Sequence, residues 1–344
     1  MTALNSNKKN TLGLDHIPAN RALIDQLFSH GQITRQARDE ALKILIPHNH
    51  WGLWVARLLL GLGVCFVLSG IVYFFAFNWA KMPPHFKLGL IEFGLITSLI
   101  SAYFCSLSKL SGQLSLLSAS VLVGVFLAVF GQIYQTGADA YQLFMMWALL
   151  TLGWTIISNF ATHWIFWLSI TNIFIVLWWD QAVLPERENE PFILVLMILF
   201  NTTALVGREY CAPKPKFHWL NFGWTRWVLL VASLILMLAP MLILIVEPDE
   251  ANTSLLLGAL LGAIGHVAIY FYYRTRIKDM WSLAAVVIST SILIEVVVIK
   301  SISEILNREE AAMFLMMGLM TIGVVTGLTL FLRRLTEQLE IENA

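Results

Sequence analysis

Long apolar runs, separated by short polar segments, fill the chain from about residue 55 onward. A helix needs roughly 20 mainly apolar residues to cross about 30 Å of hydrocarbon, and these runs have that length. The pattern predicts an all-α, polytopic transmembrane helix bundle of about ten spans. The predicted spans are Val55–Phe77, Phe86–Leu107, Leu114–Tyr134, Tyr141–Phe160, His163–Trp179, Pro191–Gly207, Thr225–Val246, Ser254–Tyr273, Met280–Ile299 and Ala311–Leu332.

A polar region precedes the first of these runs. The segments Ala19–Ser29 and Arg35–Ile46 carry apolar residues at helical spacing, and His30-Gly31 between them is a usual helix-ending turn. The pattern predicts a short helical hairpin. Its charge is close to balanced and nothing basic lines the second helix, which argues against nucleic-acid binding. We expect a packing element or a contact for a cytoplasmic protein partner.

Composition narrows the class of protein. With 58% hydrophobic and 13% charged residues, the chain is too apolar for a water-soluble enzyme, and a formal net charge of +0 gives no case for nucleic acid. Cys65, Cys105 and Cys211 are too few and too separated for a disulfide framework or a zinc site. Nucleotide-binding, hydrolase and metalloprotease motifs are absent from the sequence. We therefore predict no cofactor, no metal and no catalytic residue.

The distribution of Lys and Arg predicts the orientation. If the N-terminus is cytoplasmic, 17 of the 22 basic residues fall in cytoplasmic segments, as the positive-inside rule requires. Both termini are then cytoplasmic. The polar start before the first apolar run argues against a cleavable signal peptide, so the first span is expected to direct insertion. We divide the chain into a hairpin (1–50) and two membrane halves (51–182 and 183–344).

The densest polar cluster lies between the third and fourth predicted spans. It contains Gln132, Tyr134, Gln135, Asp139, Tyr141 and Gln142. Gly131 and Gly137 favour a turn here. One interpretation is structural: Thr136 caps the fourth span and Asp139 completes a capping-box-like pair. The other is functional: these side chains, together with Glu92, line a ligand cavity that opens outward. Both interpretations stay open.

The same cluster carries a resemblance. The run Gly131–Trp147, GQIYQTGADAYQLFMMW, resembles the bacterial membrane-protein family known as domain of unknown function 2157. Phe77-Asn78-Trp79 with Pro83-Pro84 and Lys87, and Trp178-Trp179-Asp180-Gln181, resemble it as well. The likeness extends from the hairpin through the fifth span. It implies a polytopic protein of the bacterial inner membrane, and it brings no activity or catalytic residue.

Ionisable residues inside apolar runs are functional candidates by default, because a charge near the bilayer centre costs about 2.5 to 3.5 kcal/mol. Glu92, His266 and Glu295 are of this kind. Glu92 and Glu295 lie near span ends, where a paired, snorkelling carboxylate is the simpler explanation. His266 follows Gly258, Gly262 and Gly265, a small-residue seam that favours close helix packing and one interhelical hydrogen bond.

Three functional hypotheses fit this pattern. The leading one is a transporter-like or lipid- and small-ligand-handling protein with its cavity among the first five spans. The first rival is a non-catalytic assembly or sensory component that recruits a cytoplasmic partner through residues 1–50. The second is a membrane enzyme acting on a lipid or envelope precursor, with Asp139 paired to Glu92 or Glu295. Lipid surrounds the chain in each case, and Gly323-xxx-Gly327 is a candidate homo-oligomer contact.

Overall fold

A computed structural model describes residues 21–45, 79–183, 192–305 and 310–343, with single positions between 55 and 77. Every regular element in these residues is helical, which confirms the predicted all-α class. The chain forms two compact units, residues 1–82 and 83–344. The division at 50 and 182 that the sequence suggested stays a prediction.

The first unit contains the predicted hairpin. Helix α1 (Arg21–Ser29) and helix α2 (Arg35–Leu45) are joined by a turn in which Gly31 adopts a φ of +68°. The Thr34 hydroxyl accepts a hydrogen bond from the Ala37 N–H at 3.2 Å and so caps α2. The predicted span Val55–Phe77 lies largely outside the described residues, and a short 3₁₀ turn follows at Trp79–Lys81.

The second unit holds the membrane-type helices that the structure describes. Within the described residues, nine helices are long and apolar enough to cross a bilayer. They are α3 (Pro84–Cys105), α4 (Leu110–Tyr134), α5 (Ala140–Ser158), α6 (Ala161–Trp178), α7 (Phe192–Cys211), α8 (Gly223–Val246), α9 (Thr253–Tyr272), α10 (Met280–Ile305) and α11 (Glu310–Asn343). Most begin and end within a few residues of the predicted spans, but α7 continues to Cys211 and α11 is 34 residues long.

Helix α8 is the centre of the second unit. It packs against α7, α9 and α10, while α3 to α6 pack in chain order and meet this group where α6 contacts α7. On α8, Leu230, Leu234 and Met237 are at most 3% exposed. Lipid tails are as apolar as these side chains, so close packing and interhelical hydrogen bonds stabilise such a bundle.

The predicted small-residue seam on α9 packs against α8. A Cβ atom added at Gly262 would lie 2.5 Å from the carbonyl oxygen of Met237, and one at Gly258 would lie 3.2 Å from the Cβ of Pro240. The backbones of α8 and α9 therefore approach as closely as glycine alone allows.

Buried or partly buried hydrogen bonds between side chains join helices elsewhere in the bundle. Each pairs short polar side chains or a histidine, groups that act as polar contacts in an apolar interior. They are Ser120 with His163 (α4–α6, 2.8 Å), Asn172 with Asn201 (α6–α7, 2.7 and 3.3 Å) and His266 with Ser289 (α9–α10, 2.8 Å).

The seam generates a stability prediction. Gly262→Ala should lower the free energy of unfolding by about 1–3 kcal/mol, because the new methyl group overlaps a backbone atom that cannot move independently. We would measure unfolding in mixed micelles by titration with dodecyl sulfate. Gly153→Ala on α5 is the control, since a Cβ there meets nothing within 4 Å. Equal stability of the two variants would contradict the close α8–α9 contact.

Candidate functional site

One end of the second unit collects the basic connections between helices. Residues 106–109, 159–160, 212–222 and 278–279 all turn at this end, which we call the basic end. Residues of the first three connections line one cavity. Asp279, in the fourth connection, lies 3.7 Å from Arg226 in the first turn of α8. The basic residues here are Lys109, Arg208, Lys214, Lys216, Arg226, Arg274, Arg276 and Lys278.

A buried carboxylate organises the basic end. The Oε1 atom of Glu209 accepts hydrogen bonds from Arg208 Nη1 at 2.8 Å, Arg226 Nε at 2.9 Å and the Tyr273 hydroxyl at 3.0 Å. Glu209 is 8% exposed, and Tyr273 is 1% exposed. Because the donors come from α7, α8 and the π turn after α9, one oxygen atom joins three helices. We call these four residues the Glu209 cluster.

Arg208 also fixes the connection between α7 and α8. Its Nη2 donates to the carbonyl oxygens of Leu220 at 3.0 Å and Phe222 at 3.2 Å, and its Nε donates to the Thr225 hydroxyl at 3.2 Å. Four of its five N–H donors are thus used within the protein. Arg208 is therefore a clamp on residues 212–222, with little capacity left for a ligand.

A cavity of about 300 Å³ lies beside this clamp, and we call it the chamber. Its walls come from α6, α7, the 212–222 connection and α8. The lining is mostly apolar and includes the rings of Trp164 and Trp219, which stack with centroids 6.2 Å apart. Cys211 also lines it. The volume is at the lower end of the range for ligand pockets.

A second cavity, of about 700 Å³, adjoins the chamber, and we call it the vestibule. The two cavities share Ala161 and Trp219 as lining residues. In contrast to the chamber, the vestibule is rich in polar side chains: Ser108, Gln113, Asn159, Thr162, Lys216 and His218.

Three helices begin at the vestibule. The first turns of α4, α6 and α8 contribute lining residues, and none of these starts has a side-chain cap within the described part of the chain. The unpaired N–H groups and the dipole make a helix start favourable for negative charge. With the exposed side chains of Lys216 and His218 nearby, the vestibule is suited to an anionic group.

The residues predicted as a cavity mouth lie at the opposite end. Gln132, Tyr134, Gln135 and Asp139 are exposed, and Tyr141 and Gln142 are half-buried. None of them lines the chamber or the vestibule. Their role in ligand binding stays a prediction.

The local structure of this loop corrects one expectation. Helix α4 ends with Gln135 in the left-handed region, at a φ of 45°, and Gly137 also has a positive φ, so the predicted turn is present. The capping box is wrong: Asp139, not Thr136, precedes α5, and it makes no side-chain cap bond. The side chain of Gln181 instead accepts the Tyr141 N–H at 3.2 Å, a contact that sequence spacing cannot reveal.

The intramembrane candidates lie on three different helices. Glu92 is exposed on α3. Glu295 on α10 accepts a hydrogen bond from Thr321 on α11 at 2.5 Å. His266 is 6% exposed and makes the expected interhelical bond, to Ser289, while its Nδ1 lies 2.9 Å from the Gly262 carbonyl. Among the described residues, no hydrogen bond or ion pair joins Asp139 to Glu92 or Glu295.

The Glu209 cluster was missed because the sixth predicted span, which corresponds to α7, was predicted to end at Gly207, and this placed Arg208 and Glu209 in a loop. One sequence signal was available. In the predicted cytoplasmic connections between spans, Glu209 and Asp279 are the acidic residues among many basic ones. An isolated acid in a basic segment next to an apolar run indicates a specific pairing.

Comparison with known proteins supports the resemblance found in the sequence. The profile of a family described as predicted membrane protein (DUF2157) matches residues 25–164. The match includes the second half of α1, all of α2 and the Gly131–Trp147 motif, and it ends at the start of α6, before Trp178-Trp179-Asp180-Gln181. No curated protein and no solved structure matches the chain.

The Glu209 cluster predicts a large effect of one charge. Glu209→Gln should lower the free energy of unfolding by about 3 kcal/mol or more, because it leaves the buried guanidinium group of Arg208 and the half-buried one of Arg226 without their shared anion. The measurement is unfolding by dodecyl sulfate in mixed micelles. The control is Glu337→Gln, which removes an exposed partner of Arg333 and should change stability by about 0.5 kcal/mol or less. Similar losses in both variants would contradict the assigned role.

Proposed function

We propose that this membrane protein binds an amphipathic molecule with an anionic headgroup, a lipid of the surrounding bilayer, at its basic end. The observation that carries the proposal is the adjacency of the two cavities. An apolar chamber of about 300 Å³ and a polar vestibule of about 700 Å³ share Ala161 and Trp219. An amphipathic molecule requires this pairing of an apolar space with a polar one.

Electrostatics favours an anionic headgroup over a zwitterionic one. The vestibule combines the side chain of Lys216 with the starts of α4, α6 and α8, all of which attract negative charge. Glu209 and Asp279, the acids nearby, are occupied by Arg208, Arg226 and Tyr273. The field at the vestibule is therefore positive.

The predicted orientation gives the ligand a location. If both termini are cytoplasmic, the basic end faces the cytoplasmic leaflet, where anionic lipids meet Lys and Arg side chains. Binding is then lipid handling in the sense of the leading sequence hypothesis, with the site at the opposite end of the bundle from Gln132 and Asp139.

Cys211 provides a direct test, because its side chain lines the chamber. In a Cys65→Ala, Cys105→Ala background, the rate of Cys211 alkylation by N-ethylmaleimide is measured in mixed micelles. We expect phosphatidylglycerol to slow alkylation about 5-fold or more and the effect to saturate as its mole fraction rises. Phosphatidylcholine should slow alkylation only at higher mole fractions, because one hydrogen bond to a charged group contributes about 1 kcal/mol or more to binding.

Two variants complete the test. Lys216→Gln should raise the mole fraction of phosphatidylglycerol needed for half-protection about 5-fold. Lys214→Gln is the control, because it removes the same charge from the same connection. The Nζ atom of Lys214 lies 3.5 Å from the centroid of the Tyr210 ring, and Lys214 does not line the vestibule. It should leave protection unchanged. If phosphatidylglycerol and phosphatidylcholine gave the same alkylation rate at every mole fraction, the proposal would be overturned.

A further inference from the structure

The carboxyl group of Glu295 lies deep in an apolar span. The apolar stretch of α10 runs from Met280 to Ser303, beyond the predicted end at Ile299. Glu295 is therefore eight residues from the end of this stretch, about 12 Å along the helix. That distance is longer than a glutamate side chain, so the structure argues against the snorkelling carboxylate that the sequence suggested.

Lys300, the nearest basic residue on α10, is bonded to another helix. Its Nζ atom donates to the carbonyl oxygens of Ile245 at 2.5 Å and Val246 at 3.1 Å, at the end of α8. Within the described residues, Glu295 forms no ion pair. Burying an ionised carboxylate without a cation is costly, and such a group takes up a proton instead.

The helices packed against α10 bring no positive charge to Glu295. These helices are α8, α9 and α11. Residues 227–246 of α8 and 314–332 of α11 include no ionisable side chain. On α9, His266 is bonded to Ser289, which lies six residues nearer the basic end than Glu295, and the tyrosines after His266 lie nearer still.

Thr321 on α11 provides a hydrogen-bond partner for either protonation state of Glu295. Its Oγ1 atom lies 2.5 Å from Glu295 Oε1 and 3.0 Å from the Met317 carbonyl oxygen. A hydroxyl group has one proton and two lone pairs. An ionised Glu295 accepts the Thr321 proton. A protonated Glu295 instead donates to Thr321 Oγ1, and the Thr321 proton then goes to the Met317 carbonyl.

The second arrangement is the usual one for threonines in these two helices. Thr290, Thr326 and Thr329 each donate to the carbonyl oxygen four residues earlier, at 2.7 to 2.9 Å. When Thr321 does the same with Met317, its lone pairs are left to accept a proton from an acid. The local structure of α11 therefore suits a neutral Glu295.

We infer that Glu295 and Thr321 form a proton-binding site within the membrane, in which Glu295 is a neutral acid that donates to the Thr321 hydroxyl. The site goes beyond the proposed lipid binding, because neither residue lines the chamber or the vestibule. Three groups provide oxygen atoms here, Glu295, Thr321 and the Met317 carbonyl. Hard metal cations usually take more ligands than this, which favours a proton as the ligand.

Infrared spectroscopy of the full chain in lipid nanodiscs at pH 7 tests the protonation state, because a carboxylic acid has a C=O stretch that a carboxylate lacks. We expect Glu295→Gln to remove one such band from the spectrum of the parent protein. Glu337→Gln is the control, since Glu337 is exposed and pairs with Arg333, and an exposed carboxylate is ionised at pH 7. If Glu295→Gln removed no band, the inference would be overturned.

A second pair of variants tests the role of Thr321. Thr321→Val should move the acid band to higher wavenumber, because the neutral acid loses its hydrogen bond. Thr326→Val removes a hydroxyl from the same helix that donates to the Ile322 carbonyl at 2.7 Å, and it should leave the band in place. An unchanged band in Thr321→Val would remove Thr321 from the site.

Labelling of the parent protein with dicyclohexylcarbodiimide needs no variant. The acid proton of Glu295 would move to a carbodiimide nitrogen and its oxygen would bond to the carbodiimide carbon; the acyl group then migrates to nitrogen, and nothing leaves. We expect mass spectrometry to find the label on Glu295 at pH 7, equally in sodium chloride and in choline chloride. Absence of the label from Glu295 would overturn the inference, and so would protection by sodium, which would indicate a metal cation in place of the proton.

Discussion

The basic end of this bundle depends on one oxygen atom of Glu209. Arg208, Arg226 and the Tyr273 hydroxyl all donate to it, at 2.8 to 3.0 Å. Removing two guanidinium groups from water is costly unless an anion and further acceptors replace the solvent. Glu209 supplies the anion, and the carbonyl oxygens of the α7–α8 connection supply the acceptors. The arrangement joins α7, α8 and α9 where short connections alone would leave their ends free to separate.

The position of the two cavities follows from the hydrogen bonds of the Glu209 cluster. Arg208 holds the Leu220 and Phe222 carbonyls, so the connection between them and α7 folds back over α6. Trp219 is thereby placed on Trp164, with the chamber on one side and the vestibule on the other. Arg208, Arg226 and Glu209 are thus structural. In the proposed function, the surfaces left for a ligand are the two indole rings, the side chain of Lys216 and three helix starts.

Sequence periodicity was sufficient for the helices and for some of their contacts. The hairpin turn at Gly31 and the α8–α9 approach at Gly262 follow from local rules, because a positive φ or a very close backbone contact admits little besides glycine. The interhelical bond of His266 was expected for a similar reason, although its partner, Ser289, was not. In each case the requirement lies within a few residues of the chain.

The sequence by itself determined the class of protein, the approximate bounds of the spans and the turn at Gly137, because burial in lipid and backbone geometry act residue by residue. The tertiary structure alone decided which polar groups meet. Glu209 and Tyr273 are 64 residues apart in the chain, and Trp164 reaches Trp219 across a helix and a loop. The same holds for Gln181, which caps α5 from 40 residues away in place of the expected Thr136. Hydrogen bonds and ring contacts are decided by distances of a few ångströms, and periodicity along a helix does not encode which helix lies beside it.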